Sequence, residues 1–179
     1  MVAMLLAACG GGGGDAPAPA AAAAPAGPVP VAASTCGISD FATTALARMN
    51  QARAAGADCR TGGQFAPAAA LAWSAPLTQA AERHSQDMVA RNFFSHTGSD
   101  GSTLTVRVNA TGYAWSNLGE NIAAGYSGVN NVMTGWMASD GHCANLMNPA
   151  FTEVGLVCVA GTAATAYNSY WTMDLGRSR

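Results

Sequence analysis

LGENIAAG, residues 118–125, is the stretch from which the fold of this chain follows. It places the carboxylate of Glu120 beside the carboxamide of Asn121, between a glycine and a run of small apolar residues. We expect such a run to be buried, and a buried carboxylate needs a partner. Two of the three histidines, His96 and His142, flank the stretch in polar segments that contain glycine. We therefore predict one pocket in which Glu120 contacts both histidines.

The composition points to one globular domain. The chain has 179 residues, 50% of them hydrophobic, and a net charge of −2. This length can bury a core once the low-complexity beginning is set aside. The eight basic residues are all arginines and are scattered, so we expect no nucleic-acid partner. The absence of lysine excludes Schiff-base chemistry. We expect a monomer.

The N-terminal segment is typical of an export signal. Residues 2–8 are apolar and lead into Leu6-Ala7-Ala8-Cys9, which resembles the lipobox of bacterial lipoproteins, where the cysteine becomes the acylated first residue. The alternative is a hydrophobic segment with an incidental cysteine, since the run is short and no basic region precedes it. We predict a lipoprotein-type signal at residues 1–9 and lipidation at Cys9.

Residues 10–35 are mostly glycine, alanine and proline. Such a stretch cannot bury enough surface to offset its ordering entropy, so it predicts a disordered tether. No apolar run approaches the ~20 residues that a membrane-spanning helix needs. We therefore expect an exported domain at residues 36–179, attached to a membrane by its lipid. Its place would be the outer membrane, the periplasm-facing side of a membrane, or the cell surface.

Four further cysteines predict two disulfides, because an even number is expected in an exported chain. Three pairings are possible. We favour Cys36 with Cys59, and Cys143 with Cys158, the latter closing a loop of about 15 residues worth roughly 3 kcal/mol. The alternative role for Cys143, a thiol nucleophile beside His142, is disfavoured because a free reactive thiol would oxidise in that compartment.

Periodicity divides the domain into a helical first half and a strand-rich second half. Apolar residues at helical spacing, with caps, predict helices at 40–55, 74–92, 102–112, 127–138 and 142–147. Period-two patterns predict strands at 121–124, 154–160 and 167–175. His84 falls on an apolar helix face and is predicted to be a core residue. The class is α+β, a small sheet covered by helices.

Five motifs in order resemble the bacterial branch of the CAP superfamily, the SCP or PR-1-like domain. They are FSHT (94–97), GENIA (119–123), WMAS followed by Gly141, His142 and Asn145, FTEVG (151–155) and YWT (170–172). The resemblance covers about residues 40–176. It implies a three-layer α-β-α sandwich with a small antiparallel central sheet and a central cleft.

The resemblance also implies which residues face that cleft. His96 matches the first histidine of the family's two-histidine, two-acid tetrad, Glu120 the first acid, and His142 the second histidine in its bacterial form. The chain departs from the eukaryotic pattern at two positions. Ser139 stands where those proteins have the second acid, and Ala150 stands where they have a histidine. We take His96, Glu120, His142, Asn121 and Ser139 as the candidate cleft residues.

Three chemistries remain open for these residues. Two imidazoles and a carboxylate suit a divalent metal such as zinc with an open water position, which makes His96, His142 and Glu120 candidate ligands. A hydrolase would use Ser95 or Ser139 as nucleophile with His142 and Glu120, although no GxSxG motif is present. A purely structural network is the third possibility.

The family also implies binding of a lipid, sterol or cell-wall fragment. We predict an exported domain whose cleft binds a ligand or a divalent metal, and we assign no catalytic residue.

Overall fold

The computed structural model describes residues 34–179. The predicted signal segment, the lipidation of Cys9 and almost all of the tether therefore lie outside the described residues. Ser34 and Thr35, which we assigned to the tether, are part of the fold. Ser34 is buried and its hydroxyl donates a hydrogen bond to Glu82, and Thr35 forms a parallel bridge with Cys158.

The helices follow the predicted pattern closely. Within residues 34–179 they are α1 (Phe41–Ala55), α2 (Ala75–Arg91), α3 (Leu104–Asn109), α4 (Val129–Met137) and α5 (Asp140–Met147), with a short 3₁₀ turn at Arg60–Gly62. Helix α3 begins after Thr103, whose hydroxyl accepts a hydrogen bond from the Val106 amide. None of the helices in the described part of the chain is both long and apolar enough to cross a bilayer.

Two short strands, β1 (Ala57–Asp58) and β2 (Gln64–Phe65), form a separate pair. The small central sheet contains β3 (Ala72–Trp73), β4 (Trp115–Ala124), β5 (Glu153–Ala160) and β6 (Ser169–Ser178). Their order across the sheet is β3-β5-β6-β4. The three long strands are antiparallel, as predicted, but β3 runs parallel to β5. Only two residues long, β3 has no alternation that a sequence pattern could reveal.

Helices cover both faces of the sheet, which confirms the α+β class and gives a three-layer arrangement. Two adjacent residues of β6 show this, because Trp171 packs with the cluster that includes Phe41 of α1, while Thr172 faces α2 through a hydrogen bond with Ser85. Helix α2 lies very close to β5. A Cβ atom at Gly155 would come within 2.1 Å of the Thr78 amide nitrogen, so only glycine fits there.

Both disulfides are present, but our favoured pairing is wrong. Cys36 bonds to Cys158 and Cys59 to Cys143, with sequence separations of 122 and 84 residues. The segment at Cys36 runs beside β5 rather than back over α1, and the turn at Cys59 lies against α5. Loops of this size constrain the unfolded chain by roughly 4–5 kcal/mol each in the loop-entropy model, more than a 15-residue loop would. Cys143 is no free nucleophile.

Candidate functional site

Glu120 is held in the middle of strand β4, with its side chain on the sheet face covered by α2 and α3. Its carboxylate is nearly buried, with a relative exposure of 6%. The preceding residue must be small, because a Cβ atom at Gly119 would lie 2.7 Å from the Phe151 ring. The packing of this ring against the strand accounts for the glycine that comes before the acid.

Both oxygens of the Glu120 carboxylate have partners. His96 Nδ1 lies 2.7 Å from Oε1, and Arg107 Nη2 lies 2.6 Å from Oε2. Burial alone raises the pKa of Glu120, but the hydrogen bond from His96 and the charge of Arg107 outweigh it, so the pKa lies below its ordinary value. Glu120 is therefore ionised at neutral pH and accepts both hydrogen bonds.

Arg107 also fixes the segment that carries His96. The guanidinium is nearly buried and donates to the carbonyls of Ser102 at 2.9 Å and His96 at 3.2 Å. One carbonyl earlier, His84 Nε2 donates to Ser95 O at 2.8 Å. Burial, the main cause, lowers the pKa of His84, so it is a neutral core residue, as predicted.

The contact with Glu120 sets the chemistry of His96. Because Nδ1 faces a carboxylate, the proton of the neutral imidazole lies on Nδ1, and Nε2 carries a lone pair. Nε2 is shielded from solvent and has no hydrogen-bond partner among residues 34–179. A buried nitrogen of this kind needs a donor that the described protein atoms do not supply.

A small cavity lies at this histidine. Its volume is about 160 Å³, and it is lined by His96, Glu120, Leu104, Leu118, Thr97, Thr103 and Thr105. The lining combines an imidazole and three hydroxyl-bearing side chains with two apolar ones. The Glu120 charge that reaches the cavity is already paired with Arg107.

His142 lies in the first turn of α5, and no hydrogen bond joins its side chain to Glu120. It is Asn121 that reaches α5, because its Nδ2 donates to His142 O at 3.0 Å. Adjacent strand residues point to opposite faces, so Glu120 and Asn121 serve different layers. Burial, followed by the influence of His96, lowers the pKa of His142 to about 4. The predicted double contact of Glu120 is thus present for His96 only.

The candidate serines do not enter the cavity. Ser139 occupies the N-cap position of α5, and its buried hydroxyl has no partner among the described residues. Ser95 accepts a hydrogen bond from the Thr97 amide. Neither lines the cavity beside His96. The Ser/His142/Glu120 arrangement considered from the sequence is not assembled.

A divalent metal such as zinc does not fit these residues. Within residues 34–179 no group of three or more His, Cys, Asp or Glu side chains is placed to hold a metal ion. The guanidinium of Arg107 already supplies the positive charge beside Glu120. The candidate ligands His96, Glu120 and His142 are not brought together as a ligand set.

Two residues of the site escaped the sequence analysis, Arg107 and Asp174. Asp174 lies on β6 directly opposite Glu120 in the strand register, and it is fully buried. Burial and then Glu120 raise its pKa well above the ordinary value. The alternation of β6 did place Asp174 on the same face as Thr172, but that face reads as solvent-exposed until α2 covers it.

Comparison with known proteins identifies the class to which this fold and site belong. The chain belongs to the cysteine-rich secretory protein (CAP) family, whose model matches residues 46–175. Two Bacillus subtilis relatives are similar to it: the uncharacterized protein YkwD, 35% identical over 98 residues, and the uncharacterized membrane protein YlbC, 34% identical over 88 residues. The matches cover 55% and 49% of this chain but only 36% and 25% of those relatives.

Solved structures agree on the fold. An extracellular SCP-domain protein of Bacillus anthracis is 32% identical, with a TM-score of 0.54, over 62% of this chain and 35% of that one. An outer surface protein of Borrelia burgdorferi has a TM-score of 0.56 over 63% of this chain and 80% of that one. The Borrelia protein is only 19% identical, so it supports the fold alone.

Proposed function

We propose that this chain is an exported envelope domain whose cavity at His96 binds a small, uncharged, hydroxyl- or amide-bearing ligand. The observation that carries the proposal is that the cavity is lined by His96, whose Nε2 is buried and has no hydrogen-bond partner among residues 34–179. Its lone pair accepts a hydrogen bond from a ligand O–H or N–H. The Arg107–Glu120 pair offers the ligand little net charge.

Cavity size narrows the ligand class. A volume of about 160 Å³ is well below the ~300–1,000 Å³ of pockets that hold drug-sized molecules. It suits one sugar or one amino-acid unit better than a sterol or a lipid chain. Among the ligands that the family resemblance suggested, a single unit of a cell-wall polymer fits best.

Location at the envelope rests on separate support. Two disulfides are typical of an oxidising compartment, and the similar Bacillus anthracis structure is that of an extracellular protein. Lipidation of Cys9 and a tether up to residue 33 would hold the domain at a membrane. Mass spectrometry of the protein purified from membranes tests this, because an acylated Cys9 peptide is expected.

Ligand binding is tested by calorimetric titration of the purified chain with N-acetylglucosamine and its short β-1,4 oligomers. Thr105→Trp fills the cavity from an exposed lining position without touching Glu120, and we expect it to weaken binding by roughly tenfold or more. His96→Phe should do the same, and Thr134→Ala on α4 is the matched control. If both cavity variants bind like the unmodified chain, the proposal fails.

A hydrolase using water as nucleophile is the second candidate. The hydrogen bond from His96 Nδ1 to Glu120 favours the tautomer whose Nε2 can act as a general base. This candidate requires Nε2, which is buried in the structure, to become accessible from the cavity. Incubation with muramyl dipeptide or N-acetylglucosamine oligomers, followed by mass spectrometry, distinguishes this from binding alone. Products that disappear with His96→Phe would establish turnover, and intact ligand would leave a binding site.

A further inference from the structure

We propose that Asp174 is a protonated carboxylic acid that donates its hydrogen bond to the carboxylate of Glu120, forming a buried acid pair beneath His96. This inference does not depend on the identity of the ligand. It adds to the site a residue that carries a proton at neutral pH.

The strand register brings the two acids together. Glu120 of β4 is paired with Asp174 of β6. The carbonyls of Glu120 and Ile122 turn away from β6, since they accept hydrogen bonds from the side chains of Asn145 and Trp136. The pair is therefore a non-hydrogen-bonded one, in which opposing Cα atoms are only about 4.5 Å apart and the side chains lie close together.

The donors near Asp174 bond to other groups, apart from Arg107 Nε, which has no partner among residues 34–179. Arg107 and His96 bond to the two Glu120 oxygens. From α2, His84 bonds to Ser95 O and Ser85 to Thr172. Position 155 of β5, on the other side of Asp174, is a glycine.

Asp174 consequently lacks any donor of its own. Neither of its oxygens has a hydrogen-bond partner among residues 34–179, and its side chain is fully buried. The Nε of Arg107 also has no partner, so the guanidinium does not reach Asp174. A second ionised carboxylate here would be unpaired and would repel Glu120. The proton therefore resides on Asp174, because Glu120 has two donors and Asp174 has none.

The proton on Asp174 changes what the site can offer. It gives Glu120 a third hydrogen-bond donor, and it leaves the acid pair with a single negative charge opposite Arg107. The site then holds no surplus negative charge to attract a cation. The arrangement is consistent with the poor fit of a divalent metal.

The test begins with the unmodified chain, treated with a chelator and labelled with ¹³C at the aspartate carboxyls. At pH 7 we expect one aspartate carboxyl resonance at the position of a protonated acid, together with a carboxylic-acid C=O band in the infrared spectrum. Seven ionised aspartates, with no protonated signal, would overturn the proposal. Loss of the signal on adding zinc would also overturn it, because the acids would then be metal ligands.

A variant assigns the signal and separates this role from a structural one. Asp174→Asn keeps the shape and supplies an N–H donor, so the protonated-acid signal should disappear while the His96 imidazole ¹⁵N resonances stay in place. Asp174→Ala should disturb those resonances. Stability measured against pH should show that the unmodified chain takes up one more proton on folding than Asp174→Asn. An unchanged proton count would contradict the proposal. The labelled unmodified chain decides the question even if the variant does not fold.

Discussion

Arg53 and Arg107 are both buried arginines, but the surroundings of the two side chains differ. Arg53 is fully buried and makes no ion pair among the described residues, since its guanidinium donates only to main-chain carbonyls. The acceptors are Ala69 O at 2.8 Å, Leu146 O at 2.8 Å, Asn148 O at 3.0 Å and Phe151 O at 3.1 Å. Arg107 bonds to two carbonyls and to the carboxylate of Glu120.

The two arginines therefore have different roles, one in stabilising the fold and the other in the candidate site. Arg53 donates to Leu146 O in the last turn of α5, where carbonyls have no intrahelical donor, and to Asn148 O in the loop after the helix. Burial lowers the pKa of Arg53, yet four carbonyl dipoles hold the charge in place. Arg107 instead balances an acid that faces a cavity. The buried charge of Arg53 stabilises the fold by bonding to carbonyls, whereas that of Arg107 neutralises the buried acid of the candidate site.

The largest effect is expected at Arg53. Arg53→Met removes the guanidinium hydrogen bonds to these carbonyls. Asn148 O keeps the Phe151 amide as a donor, but the other carbonyls lose a hydrogen bond, at about 1–3 kcal/mol for each that is left buried and unsatisfied. We expect a loss of about 4–5 kcal/mol in the free energy of unfolding, a large share of the stability of a domain this size. Urea unfolding of the variant beside Arg48→Met, an exposed arginine of α1, measures this. A loss as small as that of Arg48→Met would show that the hydrogen bonds from Arg53 to these carbonyls do not stabilise the fold.

Arg107→Met should cost less, about 3 kcal/mol, because it leaves the Glu120 charge buried with His96 as its remaining partner. Unlike the loss at Arg53, this one should be largely restored by a second change, Glu120→Gln, which removes the unpaired charge. A double-mutant cycle by urea unfolding gives the coupling energy. Additive losses would mean that Arg107 and Glu120 do not stabilise each other.

Acid should reduce the stability contributed by His142 at the cleft more than the stability contributed by the hydrogen bonds from Arg53 to the four carbonyls. The pKa of His142 falls to about 4 through burial, so between pH 6.5 and 4 the unfolded chain binds a proton that the folded chain does not. The stability contributed by His142 is therefore complete above pH 6.5 and is lost as the pH falls, by up to roughly 3 kcal/mol. Glu120, whose pKa is lowered, acts in the same direction. Asp174, whose pKa is raised, takes up a proton on folding and acts in the opposite direction over this range. His142→Gln should remove one proton from this dependence, and an unchanged slope would exclude His142 as its source.

The smallest effect is expected at Ser139. A serine at an N-cap is ordinarily worth about 1 kcal/mol, but this hydroxyl makes no capping hydrogen bond and has no partner among residues 34–179. We expect Ser139→Ala to change stability by less than about 0.5 kcal/mol and ligand binding not at all. A loss of turnover on any substrate that the chain hydrolyses would revive Ser139 as a nucleophile.

The sequence predicted the helices and strands whose periodicity is strong. It missed the buried polar contacts that form only because helices cover both faces of the sheet. Helix α2 and strand β6 follow from their apolar repeats, and the contact of His96 with Glu120 follows from the need of a buried acid for a partner. Asp174 and Arg107 read as surface residues, because nothing local shows that α2 and α3 will lie over them.

Other misses came from assumptions about proximity. The favoured disulfides joined cysteines that are near in sequence, whereas the fold joins distant ones. The prediction that Glu120 contacts His142 overlooked strand alternation, which gives that contact to Asn121. Alternation was readable in residues 118–125 and would have corrected the prediction.

The placement of the Cys36–Cys158 disulfide has a mechanical consequence. The chain enters the fold beside β5, on the side away from β6, whereas the His96 cavity belongs to β4 at the opposite edge. Strands lie about 4.8 Å apart, so roughly 10 Å of sheet separates the β5 and β4 axes. A pull on the segment before Ser34 is carried into β5 by a covalent bond and does not load the cavity edge. A force applied at the N-terminal side would therefore leave the shape of the cavity edge largely unchanged.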